Sequence, residues 1–295
     1  MTQSHSLNMA ARRFAAVAAV AMSILHPASA AIAVKTGDKI AFLGDSITAS
    51  GWGNPTGYVR LVMAGLEANG VKAEAVPAGI SGHKSNDMLA RLERDVLSKK
   101  PQWMTLSCGV NDVWHGKKGV ALDDAALTGG GYDPDAAARG TYKKNIAELV
   151  EKAGAASVKV VLLTATVIQE NLDNAENAKL APYNDYLRSL AKEKKLPLAD
   201  LNALFQERIK AANQPGQKVL TRDGVHMAKD GDKLMAVGVL QAFGLDAAQL
   251  KTAEAAWAKL AEAAEAKKKA AEDAKKAAKD AAEKEAAAKG AAAPK

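Results

Sequence analysis

Apolar and polar positions along this chain follow two periods that take turns. Short apolar runs that fit buried strands lie at 39–43, 72–76, 103–107, 158–165 and 196–199. Stretches with helical spacing lie between them. In "KSNDMLARLERDVLSKK", Met88, Leu89, Leu92, Val96 and Leu97 share one helical face. "RGTYKKNIAELVEKAG" closes on Gly154, and "PYNDYLRSLAKEKK" and "MAKDGDKLMAVGVLQAFG" follow later. Strands alternating with helices predict an α/β fold, a five-stranded parallel sheet covered on both faces. In such open sheets ligands sit beyond the carboxyl ends of the strands. The residues just after each apolar run are therefore the ones to read for chemistry. The segment 114–139 has three consecutive glycines and no clean period, which predicts a long loop flanking that rim.

Both ends of the chain depart from this rhythm. Residues 1–30 read as an export signal. Arg12 and Arg13 form a basic start, 14–25 is an apolar run too short to span a bilayer, and Ala28-Ser29-Ala30 supplies small residues for cleavage. Phe14 follows the arginines directly, without twin-arginine spacing, so general secretion to the periplasm or the extracellular space is expected. No other segment is long and apolar enough to cross a membrane, so no span is expected after signal removal. From about Lys251 the sequence is almost wholly Ala, Lys and Glu, which are strong helix formers, and it contains the spacer unit Glu285-Ala-Ala-Ala-Lys289. Only Trp257 and Leu260 offer large apolar surface there, too little for a coiled-coil seam. The expected organisation is a signal at 1–30, a globular domain at 35–248 and a helical or disordered tail at 249–295. A chain cut at about Leu250 is expected to keep the domain's chemistry.

The net charge of +7 belongs mostly to those ends. Arg12 and Arg13 lie in the signal and the tail carries eleven Lys against eight acidic residues, which leaves the middle about +2. That balance gives no argument for nucleic-acid binding. The tail's lysines suit contact with an acidic cell-envelope surface, or plain solubility. The single cysteine, Cys108, excludes an intramolecular disulfide and reads, within "WMTLSCG", as a small buried hydrophobe.

Four strand ends carry the candidate chemistry. The first run stops at Gly44-Asp45-Ser46, which is either turn chemistry or a nucleophile at a strand tip. The second leads into "PAGISGHKS". This is superficially like a phosphate-binding loop, but only two residues separate Gly79 from Gly82 and His83 interrupts, so the nucleotide reading fails. Gly82 remains as a residue whose N–H can approach a ligand closely. The third leads into "SCGVNDVW", where Asn111 either caps a turn or donates its amide to an anion. Before the last helix, "TRDGVHMAKDG" places Asp223 three residues before His226, a spacing that lets a carboxylate orient an imidazole. Each signal is weak alone, but all fall on one edge of such a sheet. A serine needs an adjacent base, which His226 supplies with Asp223 behind it. A tetrahedral oxyanion needs preorganised donors, which the N–H groups of Ser46 and Gly82 and the amide of Asn111 supply.

On these blocks, "GDSIT", "GISG", "GVND" and "DGVH", the chain resembles the SGNH, or GDSL, hydrolase superfamily over about 38–245. The resemblance implies a three-layer α/β/α sandwich of flavodoxin-like type and ester hydrolysis through an acyl-serine, with no metal or cofactor. It implies Ser46 as nucleophile, Gly82 and Asn111 as oxyanion donors, and Asp223 with His226 completing the triad. There are two departures: Pro77 stands where members often have Asn, and Met227 where they often have Pro. No Gly-x-Ser-x-Gly elbow is present, which argues against an ordinary α/β-hydrolase. Trp52, Trp114 and His115 adjoin the Ser46 and Asn111 blocks and either stack on a sugar or pack the loops down. Together with export, they point to small acyl groups such as acetyl on a small-molecule or polysaccharide ester. Lipids and thioesters are the enzymatic alternatives. A non-catalytic envelope protein acting through its tail is the alternative from another class, and an intact Ser46, Asp223 and His226 set argues against it.

Overall fold

The computed structural model describes residues 31–291, with side chains as far as 279, so the expected export signal at 1–30 lies outside the described residues. In β1 (Lys39–Gly44), Ile40, Ala41, Phe42 and Leu43 are fully buried, as a strand covered on both faces requires. The chain passes through α1 (Ser46–Gly53) and α2 (Tyr58–Ala68) to β2 (Glu74–Gly79), then through α3 (Ser85–Asp95) to β3 (Trp103–Ser107). Next come α4 (Val110–Trp114), α5 (Asp124–Thr128), α6 (Tyr142–Ala155), β4 (Lys159–Leu163), α7 (Ala175–Lys194) and the two-residue β5 (Leu198–Ala199). α8 (Leu201–Ala212), α9 (Lys229–Ala242) and the long α10 (Ala247–Ala291) complete it. All strands pair in parallel, in the order β2-β1-β3-β4-β5. α2 and α9, with α1 and α8 beside them, cover one face, and α3, α6 and α7 cover the other. This is the three-layer α/β/α sandwich.

The strand order reverses at β1, whose neighbours are β2 on one side and β3 on the other. Chains leaving β1 and β3 diverge to opposite faces there and open a crevice at the carboxyl rim. Register sets the depth of that crevice. Gly44 pairs with Gly79, and Leu43 with Leu106, so the exits of β1, β2 and β3 stand level.

β2 runs two to three residues later than its apolar pattern suggests. Lys72 is held against the segment before β1, accepting from Gly37 N (2.8 Å) and donating to Thr36 Oγ1 (3.1 Å), and pairing starts at Glu74. β2 is an edge strand, which also explains why the exposed Pro77 is tolerated there. α7 begins at Ala175 rather than at Pro182, because the Asn174 side chain caps it by accepting from Asn177 N (2.7 Å). Pro182 lies inside the helix on its exposed side, where the carbonyl it leaves unpaired can turn to water. The segment 114–139 is more ordered than a plain loop. It holds two 3₁₀ turns and α5, tied down by Arg139, which donates to Gly119 O (3.0 Å) and Asp133 Oδ1 (2.7 Å).

The start of α10 belongs to the packed body. Ala253 and Trp257 are buried, and Trp257 Nε1 donates to Leu61 O on α2 (2.7 Å). A Cβ at Gly65 would lie 2.7 Å from Leu240 Cδ1 and 3.0 Å from Ala253 Cβ, so α2 is pinned between α9 and α10. Beyond Leu260 the described side chains are almost all exposed.

Candidate active site

The turn out of β1 explains its three residues one by one. Gly44 has no room for a side chain, since a Cβ there would lie 2.0 Å from Thr48 Oγ1. Asp45 is the N-cap of α1, its Oδ1 accepting from Ile47 N (2.9 Å). Ser46 is then the first helical residue, where backbone N–H groups have no partner within the helix. A main-chain donor and a hydroxyl are thus presented together at the rim.

The last loop arrives as a tight hairpin. Thr221 bridges Met227, Arg222 N donates to His226 O (2.8 Å), and Ala228 N donates to Leu220 O (2.8 Å). Inside it, Asp223 Oδ1 accepts from Val225 N (3.0 Å) and His226 N (2.8 Å). Its Oδ2 lies 2.6 Å from His226 Nδ1, and His226 Nε2 lies 2.9 Å from Ser46 Oγ. A carboxylate beside Nδ1 selects the tautomer with the proton there, which leaves Nε2 to accept from the serine hydroxyl. Burial tends to raise the Asp223 carboxyl. The His226 and Val225 backbone N–H groups and the imidazole outweigh it and hold that carboxyl well below the usual carboxylate range.

Gly82 and Asn111 follow the level ends of β2 and β3. Gly82 has φ +78°, a conformation glycine adopts without strain, and a Cβ there would meet nothing within 4 Å. Asn111 is buried, and its Nδ2 donates to His83 O (3.1 Å), which fixes the amide plane and leaves its second N–H available. Gly109 turns the chain at φ +134° to start α4.

Two residues outside the sequence reading hold this arrangement. Arg91 of α3 is buried and donates to Gly44 O (2.8 Å), Ala78 O (2.8 Å) and His83 Nδ1 (3.0 Å). One guanidinium thus ties the exits of β1 and β2 to His83, next to Gly82, while Pro77 is exposed. A sequence signal existed, because Arg91 lies one turn after the buried Met88 and so on the apolar face. Asp112, also buried, accepts from Ser85 N (3.0 Å) and Ser85 Oγ (2.6 Å) and joins α4 to the start of α3.

The three candidate substrate contacts separate. Trp52 lies about 9 Å along α1 from Ser46, at about 1.5 Å of rise per residue, and the Arg60 guanidinium covers its ring at 3.4 Å. Trp114 closes α4 one turn after Asn111 and is 44 % exposed. His115 follows it, and partial burial and the charge of Lys84 hold its imidazole below the usual range. Among the described residues no group of three His, Cys, Asp or Glu side chains is placed to hold a metal ion.

Buried acids near the site set a pH dependence of stability. Burial raises Asp45 to about 6, partly offset by the Ile47 N–H and by His226. Burial likewise raises Asp232 to about 6, partly offset by the Tyr58 N–H, which it accepts at 2.9 Å, and by Arg222. A carboxyl raised on folding binds its proton more tightly in the folded state. Its contribution is therefore full below the unfolded value of about 4 and lost as pH rises through about 6. Shifts of this size correspond to about 3 kcal/mol per group at most. Urea unfolding is expected to show lower stability at pH 7.5 than at pH 5, and Asp45→Asn, which keeps the cap, is expected to remove its own share of the difference and leave that of Asp232. A wild-type profile level or rising over that interval would contradict this. Asp223, with its depressed value, loses its contribution only at much lower pH.

A sequence profile of the GDSL-like lipase/acylhydrolase family matches residues 42–234. The chain is 27 % identical over 232 residues to an acetylxylan esterase from Geobacillus stearothermophilus, covering 72 % of this chain and 97 % of that protein. The crystal structure of that esterase superimposes with a TM-score of 0.59. The acetyl xylan esterase AlAXEase is similar at 33 % identity, with 69 % of this chain and 98 % of that one covered and a TM-score of 0.57. LAE5, an alpha/beta hydrolase enzyme from the metagenome of Lake Arreo, is 28 % identical, with 72 % and 98 % covered and a TM-score of 0.58. The profile runs from the middle of β1 into α9 and so takes in all five strands and the segments that carry Ser46, Gly82, Asn111, Asp223 and His226. The chain therefore belongs to the GDSL-like lipase/acylhydrolase family of SGNH hydrolases and is a carboxylic ester hydrolase.

Proposed function

We propose that this protein is an exported serine esterase that removes acetyl and similarly small acyl groups from carbohydrate. One observation carries the catalytic part. Ser46 Oγ, His226 and Asp223 form a continuous hydrogen-bonded series of 2.9 and 2.6 Å at the strand-order reversal. Ser46 Oγ attacks the ester carbonyl as His226 Nε2 takes its proton, and Asp223 stabilises the imidazolium that forms. The carbonyl oxygen gathers negative charge and is received by the N–H groups of Ser46 and Gly82 and the amide of Asn111. Collapse of the intermediate breaks the bond to the alcohol, which leaves with the proton from His226. Water then repeats the sequence on the acyl-serine, releasing the acid and restoring Ser46.

The carbohydrate reading is supported by the relatives, named as acetylxylan esterases, and by Trp114, an exposed indole beside an oxyanion donor. Export rests on the leader at 1–30, and no described helix is long and apolar enough to cross a membrane. The catalytic domain begins near residue 35, and the buried Trp257 supports moving its end from 248 to about 260, with a helical spacer beyond.

The test is to assay purified protein on acetylated xylooligosaccharides, p-nitrophenyl esters of graded chain length, a lysophospholipid and an acyl-thioester. Acetate release from the oligosaccharide is expected to dominate. Trp114→Ala is expected to raise KM on the oligosaccharide about tenfold, equivalent to ~1.4 kcal/mol of ring stacking, and to leave p-nitrophenyl acetate hydrolysis within about twofold. Preference for long acyl chains, or for the lipid or thioester, would move the substrate class to those alternatives.

A further inference from the structure

We propose that Glu170, which lies beyond the carboxyl end of β4, is a positioning residue that sets the placement of the Asp223–His226 hairpin against Ser46. This rests on the triad assignment above. The Glu170 carboxylate accepts from four donors on three successive residues: Val219 N (2.7 Å), Leu220 N (3.0 Å), Thr221 N (2.7 Å) and Thr221 Oγ1 (2.6 Å). Those residues lead directly into the hairpin. Consecutive backbone N–H groups turned onto one carboxylate form a concave anion site, and bonds to an ionised acceptor are the stronger kind.

The neighbouring residue grips the other side of the same turn. Gln169 N donates to Gly224 O (2.8 Å), and Gln169 holds φ +63°, a left-handed conformation that costs a non-glycine residue free energy. Gly224, at φ +102°, has its missing Cβ position occupied by the Gln169 amide, 2.1 Å from where that carbon would sit. Glycine at 224 and the strain at 169 are thus two sides of one contact.

The grip is anchored in turn to α7. Asn177 Oδ1 accepts from Ile168 N (2.9 Å) and its Nδ2 donates to Gln169 O (3.2 Å), while Asn174 Nδ2 donates to Ile168 O (2.7 Å). The segment 168–170 therefore transmits the position of a twenty-residue helix to the loop that carries the base. Asp223 is exposed over about half of its side chain, so packing alone does not hold this hairpin in register.

The test compares wild type, Glu170→Gln, Glu170→Asp and Thr221→Val in p-nitrophenyl acetate kinetics, thermal unfolding and the far-downfield proton resonance of the His226–Asp223 hydrogen bond. Glu170→Gln turns an amide N–H₂ toward donors. It is expected to lower kcat by about 10²-fold, the scale of a misplacement near 1 Å, with KM within about twofold and the downfield proton broadened or lost. Glu170→Asp is expected to fall between it and wild type. Thr221→Val, which removes only the hydroxyl contact, is expected to lose several-fold and serves as the deciding variant if Glu170→Gln does not fold. Wild-type kcat with an unchanged downfield proton in the folded variants overturns the inference, as does activity loss that only follows the unfolded fraction. An inactive wild type, or an active Ser46→Ala, overturns instead the triad assignment beneath it.

Discussion

Ser46→Ala is expected to lower p-nitrophenyl acetate turnover by about 10⁴–10⁶-fold, with the melting temperature held within a few degrees. The two readouts part because the structure divides the labour at the β1 exit. Asp45, not Ser46, caps α1, so removing the hydroxyl leaves the cap intact and places alanine, the best helix former, at the first helical position. His226→Ala is expected to cost about as much, and the double variant little more than either alone, since a serine without its base and a base without its serine are equally idle. Asn111→Ala removes one of the three proposed oxyanion donors and is expected to cost about 10²–10³ in kcat. Fluorophosphonate labelling gives an independent check: wild type is labelled and Ser46→Ala is not. Residual turnover above a few per cent in a cleanly folded Ser46→Ala would end the nucleophile assignment. Simultaneous loss of folding in the Ser46 and His226 variants would return both residues to a structural role.

What the sequence made legible was set by how local each signal is. β1 and β3 lie inside the sheet and are buried along nearly their whole length, so their apolar runs mark them within a residue. β2 is half-covered at the edge and carries Pro77, and its pattern slipped. The turn residues at Gly44, Gly82, Gly109 and Gly224 could be read as turns. Only the register of Gly44 on Gly79 and of Leu43 on Leu106 brings three of those exits to one level. Long-range partners left almost no mark. Arg91 is marked only by its place on the apolar face of its helix, and Glu170 sits in a polar loop among Gln169, Asn171 and Asp173. Arg91 reaches Gly44 O across 47 residues, and Glu170 reaches Thr221 N across 51.

The site and its scaffold are therefore specified at different ranges. Asp223 and His226 meet through a three-residue turn, which any chain with that turn can form. Bringing His226 Nε2 to 2.9 Å from Ser46 Oγ requires a contact across 180 residues. Two buried or half-buried ionic groups, Arg91 under the Ser46 and Gly82 loops and Glu170 under the His226 hairpin, hold the two sides of that contact. Most of their partners are backbone carbonyls or N–H groups, joined by the side chains of His83 and Asp95 at Arg91 and of Thr221 at Glu170. A hydrophobic core could place these loops to about the width of a side chain, whereas directional bonds to charged groups restrict their angles as well.

A chain ending at Lys268 is expected to melt and turn over like the full-length protein, and one ending at Leu250 is expected to be markedly destabilised. The shorter chain loses Trp257, buried against α2, with its bond from Nε1 to Leu61 O, and it loses Ala253 against Gly65. Removing a buried tryptophan costs about 3–5 kcal/mol, against about 5–15 kcal/mol for the stability of a whole domain. At about 2–4 °C per kcal/mol for a domain of this size, the drop in melting temperature should be about 10–15 °C. Trp257→Ala in the full chain should reproduce most of it. Equal melting temperatures for the two truncations would show that α10 packs without consequence. A folded but inactive chain ending at Lys268 would show that the helix beyond Leu260 shapes the site. That helix has little to bury, yet Ala, Lys and Glu lose little on becoming helical, and pairs such as Lys268 with Glu272 (4.0 Å) add small increments. Its 45 residues extend about 65 Å at ~1.5 Å each. The helix is thus divided along its length: its first three turns close the core over α2, and beyond Leu260 its described side chains are almost all exposed.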